Sequence, residues 1–514
     1  MSRDAGGSGG GRGGHGHAVV VGSGLAGLTA ARALANFMDR VTVIERDWVP
    51  PGPARRPGVP QARHTHSLMT AAQRGLEQLF PGIGQDLTGA GAVRVRMPRD
   101  MLLLGPGGWL PRFDSHLSML SAGRDLIDSV IRQRLRADPA VAFLPGHEVV
   151  ALNPGRHDTV TGVWARRRDR AAPGGRAAAH LIPADFVVDA TGRGSHAPKW
   201  LAELGYEPPG ETVAGARTAV ATAVFAPPVG HVADWKALLL MPSAADRSQG
   251  TLNPIEGGRW SVSLCAGDGM RPPADHQELL DAAGALRHPL LREVLDAATP
   301  LGPVYRWTRT GNRWRHYEKL RRWPDQFLVV GDALAVLDPA HGQGMTTAVQ
   351  CALVLDHLLA GHGTAIGLGH RMRRALAHQL APAWRTSTRE LRAAQGDKDP
   401  RAPGRAERLG RRFAARIATA ASTDTNAATL LLERLQSASP PAAALRPRAL
   451  RAALRRPHAP APAPAAPPST THGPDTRRRR PATAVSTGSA RRTPTTPPPP
   501  QPPATTPARD PHRP

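Results

Sequence analysis

Near the N-terminus the chain reads Val19-Val20-Val21-Gly22-Ser23-Gly24-Leu25-Ala26-Gly27, and the architecture follows from these nine residues. Three valines ahead of a glycine form a strand buried on both faces, as in a parallel sheet. Apolar residues through Ala31 and Leu34 continue at helical spacing. Gly22 permits the tight turn, Gly24 lets backbone approach a pyrophosphate, and Gly27 lets the helix sit close to the sheet. Leu25 and Ala26 open that helix, where free N–H groups and the dipole favour an anion. Outward from it, Val41-Thr42-Val43-Ile44-Glu45 forms a second strand. Glu45 ends it 18 residues beyond Gly27, placed to accept hydrogen bonds from ribose hydroxyls. Strand, helix, second strand and acid in register predict a dinucleotide site, without separating NAD from FAD.

A second motif separates them. Phe327-Leu328-Val329-Val330-Gly331-Asp332-Ala333 is followed by Asp338-Pro339, then by Gly342-Gln343-Gly344-Met345-Thr346 and an apolar helix. A strand ends at Gly331 and Asp332 presents a carboxylate suited to a ribityl chain. The helix N-terminus after the Gly-rich loop suits the flavin edge that becomes negative on reduction. A third motif, Asp189-Ala190-Thr191-Gly192-Arg193-Gly194-Ser195, lies between the two.

Composition bounds the other classes. The 514 residues allow about three domains. Formal charge is +25, yet only Lys199, Lys236, Lys319 and Lys398 are lysine. Heavy Arg, Ala, Pro and Gly use is what a GC-rich coding sequence gives, so basicity is a weak pointer to nucleic acid. No nucleic-acid-binding motif accompanies it. Cys265 and Cys351 cannot build a disulfide framework, and no Cys/His cluster has zinc spacing, so the expected compartment is a reducing cytoplasm. The N-terminus has no signal-peptide h-region, and no run reaches the ~18 apolar residues of a membrane span, so no stable membrane insertion is expected. His64 and His66 form an HxH pair without a partnering acid or Cys at ligand spacing, so no metal is expected.

Both ends are low in complexity: residues 1–16 are Gly-rich, and from Pro457 onward there are 18 prolines and no Leu, Ile or aromatic residue. The tail cannot bury enough apolar surface to order itself. Between them we expect strand 18–22, helix 25–37, strand 41–45, a helix near 67–80, a hairpin over 93–114 and helix 122–136. Strands follow at 147–152, 160–166, 185–189, 215–226, 236–241 and 250–266. Helices 275–283 and 288–298, strand 327–331, helix 344–360 and further helices to about 436 complete the core.

GSGLAG together with GDALAVLDPAHGQGMT resembles the FAD-dependent monooxygenases of the para-hydroxybenzoate hydroxylase fold. The resemblance implies an α/β fold: a Rossmann-like FAD-binding domain interleaved with an antiparallel substrate sheet, then C-terminal helices and the disordered Pro/Arg-rich tail. The implied FAD-binding segments are 17–95, 121–205 and 311–365. The substrate segments are 96–120 and 206–310, with helices over 366–456 and the tail over 457–514. It also implies that Asp332 binds the ribityl chain and that Pro339, Gly342 and Gly344 border the flavin. Arg124 contacts FAD, Glu45-Arg46 is the adenosine-side pair, Val149 lies on the strand passing the adenine, and Thr191-Gly192 closes over the dinucleotide. The Ala190-Thr191-Gly192 run replaces the Asp-Gly of aromatic hydroxylases.

The loop Gly58-Val59-Pro60-Gln61-Ala62-Arg63-His64-Thr65-His66, with Asn312-Arg313, further resembles the flavin epoxidases of polyether ionophore biosynthesis. This implies reduction by NAD(P)H, directly or through a separate flavin reductase. O₂ addition then gives a flavin C4a-hydroperoxide, which epoxidises alkenes of a hydrophobic, polyene polyketide-type substrate. The alternatives are hydroxylation of an aromatic or other hydrophobic natural product, and flavin-linked reduction or dehydrogenation. The tryptophan-rich WxWxIP signature of flavin halogenases is absent. The cofactor carries such chemistry, which agrees with the lack of a catalytic triad. Arg63 or His64 is expected to face the cofactor, while Trp109, Phe225, Met241 and Trp260 are candidates for the substrate side.

Overall fold

The computed structural model describes residues 16–168, 178–214, 219–243, 247–266, 270–308, 310–363, 367–394 and 405–436. All belong to one compact unit, Met1–Ser469, and the other unit, Thr470–Pro514, lies outside them. The expected flexible N-terminus, up to residue 15, and the whole Pro/Arg-rich tail also lie outside the described residues.

A five-stranded parallel sheet runs in the order Phe327–Val329, Phe186–Asp189, His17–Val21, Arg40–Glu45 and Val141–Pro145. Its central strand is buried because every residue from Ala18 to Val21 is apolar and covered on both faces. Helix Leu25–Leu34 packs on it and ends three residues before the expected limit, at a turn through Ala35 to Met38. The edge strand Val141–Pro145 escapes sequence reading: it is short, half exposed and flanked by Pro139 and Gly146, which read as turns.

The second large sheet is mostly antiparallel. Its order is Thr299–Pro300, Ala219–Ala226, Arg259–Ala266, Gln249–Ile255, Ala237–Leu240, Met101–Gly105, Gly108–Trp109, and Tyr305–Trp307 also pairs with Ala219–Ala226. Its strands come from chain segments that alternate with those of the parallel sheet, so the interleaving holds. The single strand expected over 250–266 is a hairpin, turned by Gly257 and Gly258 at φ 72° and 66°. The helix expected from 67 begins instead as a strand, Ser67–Met69, and becomes helical at Thr70.

Alternation divides this sheet into two faces. On one, Ala223, Phe225, Val262, Trp260, Leu252, Leu238 and Trp109 pack with Leu279, Leu290 and Leu291 of helices His276–Gly284 and Leu290–Asp296. Trp109, Phe225 and Trp260 are therefore core residues beneath those helices, and their expected substrate contact is corrected. On the other face lie Thr222, Ser261, Ser263, Thr251 and Asn253, and beyond them Ala237, Leu239, Met101 and Leu103. Helices Arg405–Ala420 and Thr425–Leu435 cover the apolar part of that face, packing Ile417, Ala421, Ala428 and Leu432 against Met101, Leu103 and Ala237. Helix Leu368–Ala394 lies instead on the core of the parallel sheet.

Candidate cofactor and substrate site

The three motifs meet at the C-terminal ends of the parallel strands, where open α/β sheets bind ligands. A Cβ on Gly331 would lie 2.6 Å from the Ala26 side chain, and one on Gly192 would lie 4.0 Å from the Asp332 Cβ. Ala26 and Gly331, 305 positions apart in sequence, thus line one cleft. Gly22 has φ 101°, and a Cβ there would come within 2.7 Å of the Ala190 carbonyl oxygen. A Cβ on Gly27 would fall on the Gly22 carbonyl, so helix and strand touch through bare backbone. By contrast, a Cβ on Gly24 or Gly344 would meet nothing within 4 Å. Each of these glycines marks a helix N-terminus that lacks a side-chain cap, at Leu25–Leu34 and Gly344–His362. Two uncapped helix ends with open space beside them suit a pyrophosphate and an anionic flavin edge.

Arginines surround this space. Arg124 opens helix Arg124–Arg136 and holds Asp128 through Nε at 2.7 Å. Asp332 has no hydrogen-bond partner among the described residues. Burial raises its pKa, against the opposing pull of Arg124, Arg193 and Arg313. An unpartnered carboxylate among guanidinium groups suits a polyol chain linked to a diphosphate. Arg193 Nη2 donates to the Gly311 carbonyl at 2.8 Å, fixing the third motif beside it.

Glu45 is tied down more firmly than its motif suggests. Its Oε2 accepts from Ser23 N–H at 2.9 Å, from Ser23 Oγ at 2.7 Å and from Arg56 Nη1 at 3.0 Å. Burial alone would raise its pKa, but Arg56, Asp47 N–H and Ser23 hold it below the usual carboxylate range. Arg56 also reaches Asp128 at 3.4 Å and is 3 % exposed. Sequence reading missed Arg56, because nothing in the Arg55-Arg56 pair distinguishes a buried guanidinium from a surface one. Arg46 projects into solvent, and Val149 is buried in the main core. Thr191 directs its hydroxyl back to Asp189 Oδ1 at 2.6 Å, leaving Gly192 at φ 77° to border the cleft.

Around the second helix N-terminus, Pro339, Gly342 and Gly344 are exposed while Met345 and Thr346 are buried. Asp338 caps the short turn Pro339–His341 and is fixed by Asn312, whose Oδ1 accepts from Asp338 N–H at 2.8 Å. Gln249 Nε2 reaches the Ala340 carbonyl at 3.5 Å, so this loop abuts the face of the antiparallel sheet that bears Thr251 and Thr222. Gln343 Nε2 donates to the Leu435 carbonyl at 2.6 Å, joining the same loop to the last described helix. Half-buried Met69, Leu239, Met241, Phe413, Leu430 and Leu431 fringe that apolar cluster, and Met69 Cε lies against Gly342. Of the substrate-side candidates only Met241 belongs here. Phe413, Leu430 and Leu431 were missed, because helix periodicity does not reveal which sheet a helix covers.

His64 sits against the antiparallel sheet, beside Thr222 and the edge strand Tyr305–Trp307. Its Nδ1 shares a hydrogen bond with Thr222 Oγ1 at 2.8 Å, and its ring lies 6.2 Å from Trp307. Thr65 Oγ1 bonds Ser261 Oγ at 2.8 Å and Ser263 Oγ at 2.7 Å. Burial and the neighbouring Arg63 lower the His64 pKa to about 4, and burial with Arg124 lowers that of His66 to about 3. Arg63 points outward, over the Tyr305 ring at 4.5 Å, rather than into the cleft. No group of metal-holding side chains occurs among the described residues.

The chain matches the FAD binding domain family (FAD_binding_3) over residues 16–373. It belongs to that family. It is 32 % identical over 378 residues to Protein Rv3254 of Mycobacterium tuberculosis, covering 72 % of this chain and 78 % of that one. Among solved structures it resembles the myxobacterial chondrochloren halogenase CndH, at TM-score 0.56 and 18 % identity over 83 % of this chain and 98 % of that one. It also resembles PqsL, a probable FAD-dependent monooxygenase from Pseudomonas aeruginosa, at TM-score 0.51 and 16 % identity over 73 % and 93 %. Those two likenesses establish a shared fold. Within this FAD-binding fold the uncapped helix ends, Asp332 and Arg124 fit the cofactor. Among the described residues no helix is long and apolar enough to cross a membrane.

Proposed function

We propose that this flavoprotein is a monooxygenase that places one oxygen atom from O₂ on a hydrophobic substrate, by epoxidation of an alkene. NAD(P)H is the reductant. One observation carries this reading: an apolar wall of Met69, Leu239, Met241, Leu430, Leu431 and Phe413 adjoins the flavin loop. Bound FAD would supply activation of O₂, and Asp332, Arg124 and the two open helix N-termini would hold it. The apolar wall orients a hydrocarbon chain and excludes water.

Epoxidation is favoured over phenol hydroxylation by the apolar character of that wall, which offers an alkene contact without a group to deprotonate a phenol among its six side chains. An aromatic hydroxylase needs a base to draw a proton from a phenol. His64 and His66, with pKa values near 4 and 3, are poor bases, and the Thr65, Thr222, Ser261 and Ser263 hydroxyls bond one another. The test is incubation of FAD-loaded protein with NAD(P)H, ¹⁸O₂ and either a linear polyene or a phenol. The expected product is an epoxide carrying one ¹⁸O. Turnover of the phenol alone would establish hydroxylation instead, and protein purified without flavin would overturn the assignment.

A further inference from the structure

We propose that Arg55, Arg63 and Tyr305 form the docking site for the diphosphate of a nicotinamide dinucleotide, outside the FAD cleft. This rests on the flavoprotein reading and adds where the reductant binds. The Arg55 guanidinium carbon lies 4.9 Å from the centre of the Tyr305 ring, and that of Arg63 lies 4.5 Å from it. Arg55 Nη1 donates to the Tyr305 hydroxyl at 2.8 Å. Arg55 Nε forms a long ion pair with Asp125 at 3.9 Å, and among the described residues no ion pair engages Arg63. Two guanidinium groups, ten N–H donors between them, are held together on one aromatic ring, and both arginines are exposed.

The position of this cluster follows from the chain. Arg55 precedes buried Arg56, its ion-pair partner Asp125 follows Arg124, and Arg63 precedes His64, which bonds Thr222 on the strand paired with that of Tyr305. In the inner shell Arg56, Arg124, Glu45 and Asp128 are paired among themselves, with Arg124 also acting on Asp332. The outer cluster carries two arginines against one half-buried acid. Tyr305 projects from the edge strand on the face that bears Thr222, because the two are register partners. That face adjoins the flavin loop through Gln249 and Ala340. A ligand gripped there by its diphosphate lies beside the cleft and leaves the FAD phosphate positions free. Guanidinium groups suit such a diphosphate because they bind its oxygens in pairs. A two-arginine patch is too small for a nucleic-acid track.

The test uses full-length protein loaded with FAD, titrated by calorimetry with NAD⁺, NADP⁺ and 2′,5′-ADP, and reduced anaerobically by NADH or NADPH in a stopped-flow instrument. Arg55→Gln and Arg63→Gln should each weaken nicotinamide dinucleotide binding at least about tenfold, as loss of a charged hydrogen bond requires. The limiting rate of flavin reduction and the FAD content should stay within about twofold. Arg63→Lys should recover part of the loss, and higher salt should narrow the gap between wild type and variants. Unchanged nicotinamide dinucleotide affinity in the double variant would overturn the proposal. So would loss of FAD from that variant, or failure of FAD-loaded wild type to bind any of the three probes, the result expected of a separate reductase. Wild type that takes up no FAD would instead overturn the flavoprotein reading beneath it.

Discussion

Gly24 and Gly27 stand three residues apart in one motif and answer to different constraints. Gly24 faces open space, so Gly24→Val should fold with an unaltered melting temperature of the apo-protein yet retain little flavin, read as absorbance near 450 nm. Gly27→Ala drives a methyl into the Gly22 carbonyl and should cost about 1–3 kcal/mol of stability, read by urea unfolding. Asp332→Ala removes the carboxylate beside Arg124 and Arg193 and should raise the FAD dissociation constant at least about tenfold, measured by flavin fluorescence. An unaltered value would place the ribityl chain elsewhere. His66 supplies a pH test. Its folded pKa is near 3 against about 6.5 unfolded, so the unfolded chain binds a proton that the fold refuses. Stability should therefore be flat above pH 6.5 and fall as pH drops from 6.5 toward 3. His66→Asn should flatten that slope in melting curves collected across the range.

At the scale of elements, the two uncapped helices and the last helix pair divide the work of the site. Helices Leu25–Leu34 and Gly344–His362 leave their first N–H groups for a ligand. Helix Thr425–Leu435 is instead capped by Asp424, which accepts from Asn426 and Ala427 N–H, and its own end accepts from Gln343. The pair docks where the backbone of Gly107 meets that of Thr419 with no room for a Cβ. Gly107→Ala should loosen this docking, lower the melting temperature and, through Gln343, alter the flavin absorption spectrum. An unchanged spectrum alongside a lowered melting temperature would separate the helix pair from the flavin loop. The hairpin role of Gly107 was readable in the sequence, whereas its contact with a helix over 300 residues away was not.

For the whole molecule, the basic balance of the chain has a local meaning only at a few arginines. Arg56 and Arg124 face the cleft network inward, while Arg55 and Arg63 gather on Tyr305 at its rim. Removing residues 457–514 should leave FAD content and NAD(P)H oxidation unchanged, because that segment carries none of the nucleotide-binding motifs and no Leu, Ile or aromatic residue; a lost activity would give the tail a part in function. The Val19 to Gly27 motif, the Gly331-Asp332 pair and the Gly342 to Thr346 loop were legible because backbone chemistry at helix ends leaves a local glycine pattern. Sequence by itself thus determined the dinucleotide-binding fold, the interleaving of its segments and the glycine motifs that converge at the ends of the parallel strands. Tertiary structure alone decided that Glu45 is held by Arg56 and that Phe225 and Trp260 face away from the site. It also decided that helices 405–420 and 425–435 cover the sheet face that bears Met101, Leu103 and Ala237. Those facts depend on which strand face a distant helix covers and which buried charges pair, and neither is encoded within a few residues of chain.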